Sequence, residues 1–123
     1  KETTEDFLNF SSGNKKKVLK VNNRSLGIGG NATLVAYIGH NGLMNFSIDE
    51  NFTNKDGIKR DVIILACYSR GYFEGHLEHS NVNPLVWTTG LMCPEAYTIH
   101  NAISGYVNNP AYPHVVFWYN LSR

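Results

Sequence analysis

Two apolar runs, Leu34-Val35-Ala36-Tyr37-Ile38 and Val62-Ile63-Ile64-Leu65-Ala66-Cys67, show no alternation and stop abruptly in polar, glycine-bearing segments. A strand with one wet face alternates apolar and polar side chains. A short unbroken apolar run is the pattern of a strand buried on both faces, which occurs in parallel sheets covered by helices. The first run ends at Gly39-His40-Asn41-Gly42 and the second runs into Tyr68-Ser69-Arg70-Gly71. A histidine and a cysteine therefore stand at the ends of two core strands.

The surrounding pattern predicts more units of the same kind. A short helix is expected over Glu2 to Phe10, stopped by Ser11-Ser12-Gly13. Lys16 to Val21 alternates like an edge strand that Asn22-Asn23 breaks, and Leu26 to Gly30 reads as a glycine-dense connection. Asp49 to Arg60 reads as a surface loop, and Tyr72 to His79 as a short helix. After Asn81-Val82-Asn83-Pro84 a third strand is expected over Leu85 to Thr89. A helix should follow from Pro94 to Val107, with Ala96, Ile99, Ala102 and Ile103 on one face, and a fourth strand from Val115 to Tyr119. Strands alternating with helices predict an α/β domain, three-layer α/β/α with a mainly parallel sheet.

Bulk properties exclude several classes. A length of 123 residues suits a single domain spanning 1–123, and 42% hydrophobic with 17% charged residues is a globular composition. A net charge of +1 gives no general attraction for nucleic acid or an anionic membrane. Lys15-Lys16-Lys17 with Lys20 reads as a solvated strand edge that resists edge-to-edge pairing. No apolar run approaches the about 20 residues a membrane helix needs. The expectation is a soluble protein, cytoplasmic or exported after signal removal. Cys67 and Cys93 lack metal-knuckle spacing and read as free thiols. The N-x-S/T triplets at Asn9, Asn23, Asn31, Asn45, Asn51 and Asn120 follow by chance from an asparagine-rich chain.

Parallel sheets place working groups beyond the carboxyl ends of their strands, where turns are exposed above a rigid base. Cys67 and His40 both fall there, and an imidazole is the usual partner that makes a thiol nucleophilic. Gly39 and Gly42 leave room for a substrate backbone, and main-chain N–H groups near Gly42 and Cys67 are candidate oxyanion donors, each worth roughly 3 kcal/mol.

These residues carry a resemblance. An apolar strand ending in Tyr37-Ile38-Gly39-His40-Asn41-Gly42, followed by one ending in Leu65-Ala66-Cys67, resembles the paired signature of the caspase-like cysteine peptidases, the group that includes caspases, legumain, gingipains and separase. Leu85 to Gly90 followed by Pro94-Glu95-Ala96-Tyr97 is similar to the strand and turn that wall the first specificity pocket in legumain-like enzymes. The phrases Gly39 to Phe46 and Thr88 to Tyr97 are similar to a bacterial group of unassigned function sharing a Gly-His-Asn-Gly-Leu-Met motif. The resemblance covers about residues 30 to 107.

The resemblance implies a caspase-like fold and a cysteine peptidase acting on a peptide or protein substrate without a cofactor. Cys67 would be the nucleophile, His40 the general base and later acid, and the amides near Gly42 and Cys67 the oxyanion hole. Thr88, Thr89, Gly90, Arg70 and Glu95 would line the substrate pocket, voting for neither an acidic nor a basic side chain. Two departures stand out: Asn41 separates the histidine from the glycine that usually follows it, and only Lys16 to Val21 is available as a strand ahead of the histidine strand. The chain would then be the C-terminal part of a larger precursor, or its sheet is reduced.

Other readings compete. Cys67 could be a small buried hydrophobe and His40 a turn residue bonded to backbone, which would leave a catalytically inactive binding or scaffolding domain. Cys93 reads as structural or pocket-lining. His76 and His79, with His100 or His114, could hold a transition metal, but a solvated helix face is the simpler reading and no metal is expected. Tyr68, Tyr72, Phe73, Trp87, Tyr112 and Trp118 suggest core and pocket lining more than stacking on sugars or bases.

Overall fold

A computed structural model of the chain describes residues 1–93 and 96–108. The strand expected over Val115 to Tyr119, His114, Tyr112, Trp118, and the Pro94 and Glu95 positions lie outside the described residues. The elements run α1 (Glu2–Ser12), β1 (Lys16–Val21), β2 (Arg24–Gly29), β3 (Leu34–Ile38), a one-turn 3-10 helix (Gly42–Met44), β4 (Arg60–Leu65), α2 (Ser69–Leu77), β5 (Val82–Val86) and α3 (Ala96–Asn108). The fold is mixed α/β. Three parallel strands form a sheet in the order β3-β4-β5, and β1 and β2 form a separate antiparallel pair.

Helix α1 forms because Thr4, Phe7, Leu8 and Ser11 recur at helical spacing and are all buried. It ends at Gly13, which adopts the left-handed conformation (φ 78°) and donates its N–H back to the Phe10 carbonyl. Phe7 and Leu8 pack with Val35 and Tyr37 of β3, Val62 and Ile64 of β4, and Phe73 and Leu77 of α2. The rings of Phe7, Tyr37 and Phe73 meet with centroids 5.3 to 5.8 Å apart in tilted and edge-on arrangements. On the opposite side of β4, Ile63 and Leu65 join Leu85 and Val86 of β5, with Ile99, Ala102 and Tyr106 of α3 packed against them.

Several expectations are corrected. Leu26 to Gly30 is not a connection: its first part belongs to β2, because Asn22 and Asn23 both take positive φ (48° and 63°) and close a two-residue hairpin, for which asparagine is suited. Lys16 to Val21 is consequently not a strand of the parallel sheet, and nearly every hairpin side chain is exposed. Strand β3 is buried on one face only: Val35 and Tyr37 are covered while Ala36 and Ile38 are open, and among the described residues β3 pairs with β4 alone while α3 packs over β4 and β5. Strand β5 begins at Val82 and includes Pro84, three residues ahead of the expected start. Proline is tolerated there because β5 has no further partner strand among the described residues, and a register irregularity opposite Val62 and Ile63 absorbs the missing N–H.

A buried ionic clamp was not legible beforehand. Arg60, fully enclosed at the start of β4, donates to the Gly30 carbonyl from Nε (2.9 Å) and Nη2 (2.6 Å), to the Ile58 carbonyl (3.0 Å) and to Asp56 Oδ2 (2.6 Å). Lys16 reaches the same carboxylate oxygen at 2.8 Å. Hydrogen bonds from Arg60 first, then from Lys16 and the Ile58 amide, hold the Asp56 carboxyl well below the usual carboxylate range. The clamp joins the C-terminus of α1, the end of the hairpin and the first residue of β4. Among the described residues no helix is long and apolar enough to cross a membrane.

Candidate functional site

Strands β3 and β4 pair in parallel with Ile38 opposite Leu65, and the Gly39 N–H extends the ladder to the Leu65 carbonyl at 3.1 Å. Counting on from that register sets His40 and Cys67 at matching positions two residues beyond the last pair. Both line one cavity of about 450 Å3, together with Ile38, Gly39, Leu65, Ala66, Met92, Ala96 and Ile99. No hydrogen bond joins them directly: His40 Nε2 lies 2.6 Å from Asn45 Oδ1. With that oxygen as acceptor, Nε2 carries the proton and Nδ1 is the basic nitrogen.

The histidine loop is held from below. The Tyr37 hydroxyl donates to the His40 carbonyl at 2.7 Å, so the Thr4 hydroxyl, 3.3 Å away, is left to donate to Tyr37. Asn41 is fully buried. Its Nδ2 donates to the Cys67 carbonyl at 2.7 Å and its Oδ1 accepts from the Leu43 N–H at 3.1 Å. Asn41 thus ties the histidine loop to the cysteine turn. Gly42 is buried at the start of the 3-10 helix, where an added Cβ would meet the Phe46 ring at 2.5 Å, and it does not line the cavity. Gly39 does line the cavity (φ 150°), but its N–H is taken by Leu65.

The turn from β4 into α2 is sharp. Tyr68, directly after Cys67, holds a left-handed conformation (φ 49°, ψ 34°) that costs a non-glycine residue about 1–3 kcal/mol and persists only where its surroundings enforce it. The enforcing contacts come from the segment after β5. Tyr68 N–H donates to the Gly90 carbonyl (2.8 Å) and Arg70 N–H to the Thr88 carbonyl (3.0 Å). Ser69 Oγ donates to the Ile64 carbonyl (3.0 Å) and accepts from the Thr88 N–H (2.8 Å), and the Thr88 hydroxyl donates to the Ala66 carbonyl. Thr88 is therefore buried structural mortar, and Gly90 serves through its carbonyl.

Cys67 itself is half-buried and unpaired by any disulfide, while Cys93 is exposed and also free. Met92 N–H donates to Cys67 Sγ at 3.3 Å, and the Met92 carbonyl lies 3.6 Å from the sulfur on the side a thiol S–H can use. Thr89 and Arg70 do not face this cavity. They line a second, more open depression with Met44, Tyr68, Gly71, Tyr72 and Glu74. Arg70 there lies 3.8 Å from Glu74 and over the Trp87 ring at 5.6 Å. Glu95 lies outside the described residues, and among those described no three His, Cys, Asp or Glu side chains group as metal ligands. His76 is half-buried near the end of α2 and His79 lies exposed beyond it.

The sequence missed Asn41, Asn45, Tyr37 and the Ser69–Thr88 pair as positioning residues. Asparagine after a strand-end histidine was a visible signal, but its meaning depends on where the Cys67 carbonyl lies. No protein-family model, curated protein or solved structure matches the chain.

Proposed function

We propose that the protein is a cysteine-dependent hydrolase, a caspase-like peptidase of three-layer α/β/α architecture, cleaving a peptide bond or a related acyl group in a peptide or protein substrate. One observation carries the reading: Cys67 and His40, 27 residues apart in sequence, line the same cavity at the ends of adjacent parallel strands. His40 takes the thiol proton, the Cys67 sulfur attacks the carbonyl carbon, and the proton passes to the departing amine. Water then releases the acyl group from sulfur, with His40 as base. The Met92 N–H directed at the sulfur is a contact that a thiolate uses better than a thiol. With Gly42 buried outside the cavity lining and the Gly39 amide committed to Leu65, the Cys67 main-chain N–H is the remaining oxyanion donor of the expected set.

The competing reading is a catalytically inactive binding or scaffolding domain. It is favoured by the Met92 carbonyl, 3.6 Å from the sulfur, where a protonated thiol can donate, and by the histidine bonded to Asn45 instead of to the thiol.

Competitive labelling with iodoacetamide separates the two. Exposure alone makes Cys93 the faster thiol, because Cys67 is half-buried. Faster labelling of Cys67 than of Cys93 at neutral pH, lost in His40→Ala, is the outcome expected of the dyad. Labelling of Cys93 first, with Cys67 indifferent to His40→Ala, would leave the scaffolding reading.

A further inference from the structure

The cavity beside the dyad has a chemical character that the dyad does not dictate. Ile38 and Leu65, a register pair, form its strand-side wall, and Ala96, Ile99 and Met92 form the opposite side. Among the described residues, His40 is the only lining side chain that can carry a positive charge, and no carboxylate faces the space. The charges of α2 are elsewhere: Arg70 and Glu74 line the second depression.

Ile38 adds an independent observation. It is 56% exposed at the end of a strand whose neighbours Val35 and Tyr37 are covered, so an isoleucine is left open at the mouth of the cavity. Large apolar side chains clustered around an open concavity mark a binding surface more often than a solvated one. The volume of about 450 Å3 falls within the range of about 300–1,000 Å3 for small-molecule pockets.

We infer that this cavity receives an uncharged, apolar side chain on the acyl side of the bond attacked by Cys67, making the site selective for residues such as leucine over aspartate or lysine. The inference rests on the hydrolase reading above. A leucine-sized group displaces water from Ile38, Leu65, Met92 and Ile99 and covers the open isoleucine. A carboxylate or ammonium entering the same space gives up its hydration and, among the described lining residues, finds no charged partner apart from the His40 and Cys67 that the reaction itself uses.

Three peptidyl chloromethyl ketones test this on the full chain, identical except for leucine, aspartate or lysine at the residue bearing the ketone. The Cys67 thiolate displaces chloride, a carbon–sulfur bond forms, and the intact mass rises by that of the reagent less HCl. Peptide mapping assigns the modified cysteine. The leucine reagent is expected to modify Cys67 at least about 100-fold faster than the other two. Ile99→Asp, which brings a carboxylate to the half-buried cavity wall, is expected to shrink that ratio at least tenfold in favour of lysine. Equal rates for the three reagents, or an aspartate or lysine reagent reacting fastest with the unsubstituted protein, would overturn the inference alone. Failure of all three to modify Cys67 ahead of Cys93 would overturn the hydrolase reading and this inference with it.

Discussion

The Asn41 side chain donates to the main-chain carbonyl of Cys67 at 2.7 Å, and so fastens the loop that carries the histidine to the turn that carries the thiol. Its oxygen is used at the same time by the Leu43 N–H. Asn41→Ala therefore strands a buried donor and a carbonyl, which costs about 1–3 kcal/mol. Urea unfolding should show that loss, and iodoacetamide labelling of Cys67 should slow in conditions where the variant is still folded.

Asn45→Ala isolates the orientation of His40 from stability. Asn45 is exposed, so the substitution should change unfolding free energy by no more than about 0.5 kcal/mol. It removes the acceptor 2.6 Å from Nε2, and the ring loses its fixed tautomer and direction. Cys67 labelling should fall severalfold while Cys93 labelling is unchanged, and Asn45→Gln should restore part of the difference.

Gly13→Ala should destabilise the fold through two effects at one atom. The left-handed backbone (φ 78°) costs an L side chain about 1–2 kcal/mol, and the new Cβ would stand 2.6 Å from the Arg60 guanidinium. A lowered urea midpoint with an unchanged slope is the expected result, whereas Gly71→Ala, within α2 and with open space around the added carbon, should leave the midpoint unchanged or raise it.

The Asp56 clamp predicts a direction with pH. Its folded-state carboxyl is held far below the value of about 3.9 for an unfolded aspartate, so its stabilisation is complete above that value and falls as acid protonates it. Thermal unfolding of the native chain and of Asp56→Asn should differ most near neutral pH. The difference should shrink steadily below about pH 4.

Phe73→Ala removes the ring that joins α2 to Phe7 and Tyr37. Phe73 is fully buried, and deletions of this size cost about 3–5 kcal/mol, a large share of the about 5–15 kcal/mol a domain possesses. Differential scanning calorimetry should show Tm lowered by more than about 10 °C.

The parts of the fold legible in the sequence are those whose signal is local. The apolar runs that became β3 and β4 could be read as strands from their composition, although burial on both faces holds for β4 and not for β3, whose Ala36 and Ile38 are open. The helix stop at Gly13 was likewise written in neighbouring residues; of the face expected on α3, Ile99 and Ala102 pack inward with Tyr106, while Ala96 and Ile103 are exposed. β1 was read with its bounds and its break at Asn22-Asn23, but its partner β2 was missed because the glycines of β2 weaken its strand pattern. β5 starts three residues ahead of its expected start and includes Pro84, which no local strand pattern announces.

For the site, the sequence by itself determined that a histidine and a cysteine terminate two core strands, since each termination is a change of composition along the chain. Only the tertiary structure decided what those residues face. The Asn41 bond to Cys67, the Met92 contacts with the sulfur, and the absence of Arg70 and Thr89 from the lining of the apolar cavity depend on segments 20 or more residues apart meeting in space. Burial of Arg60 is partly the same case: Asp56 and Ile58 are near neighbours in the chain, but the Gly30 carbonyl, 30 residues away, becomes adjacent only in the folded protein. A buried polar side chain is stable only when distant partners satisfy it, so its meaning resides in the fold.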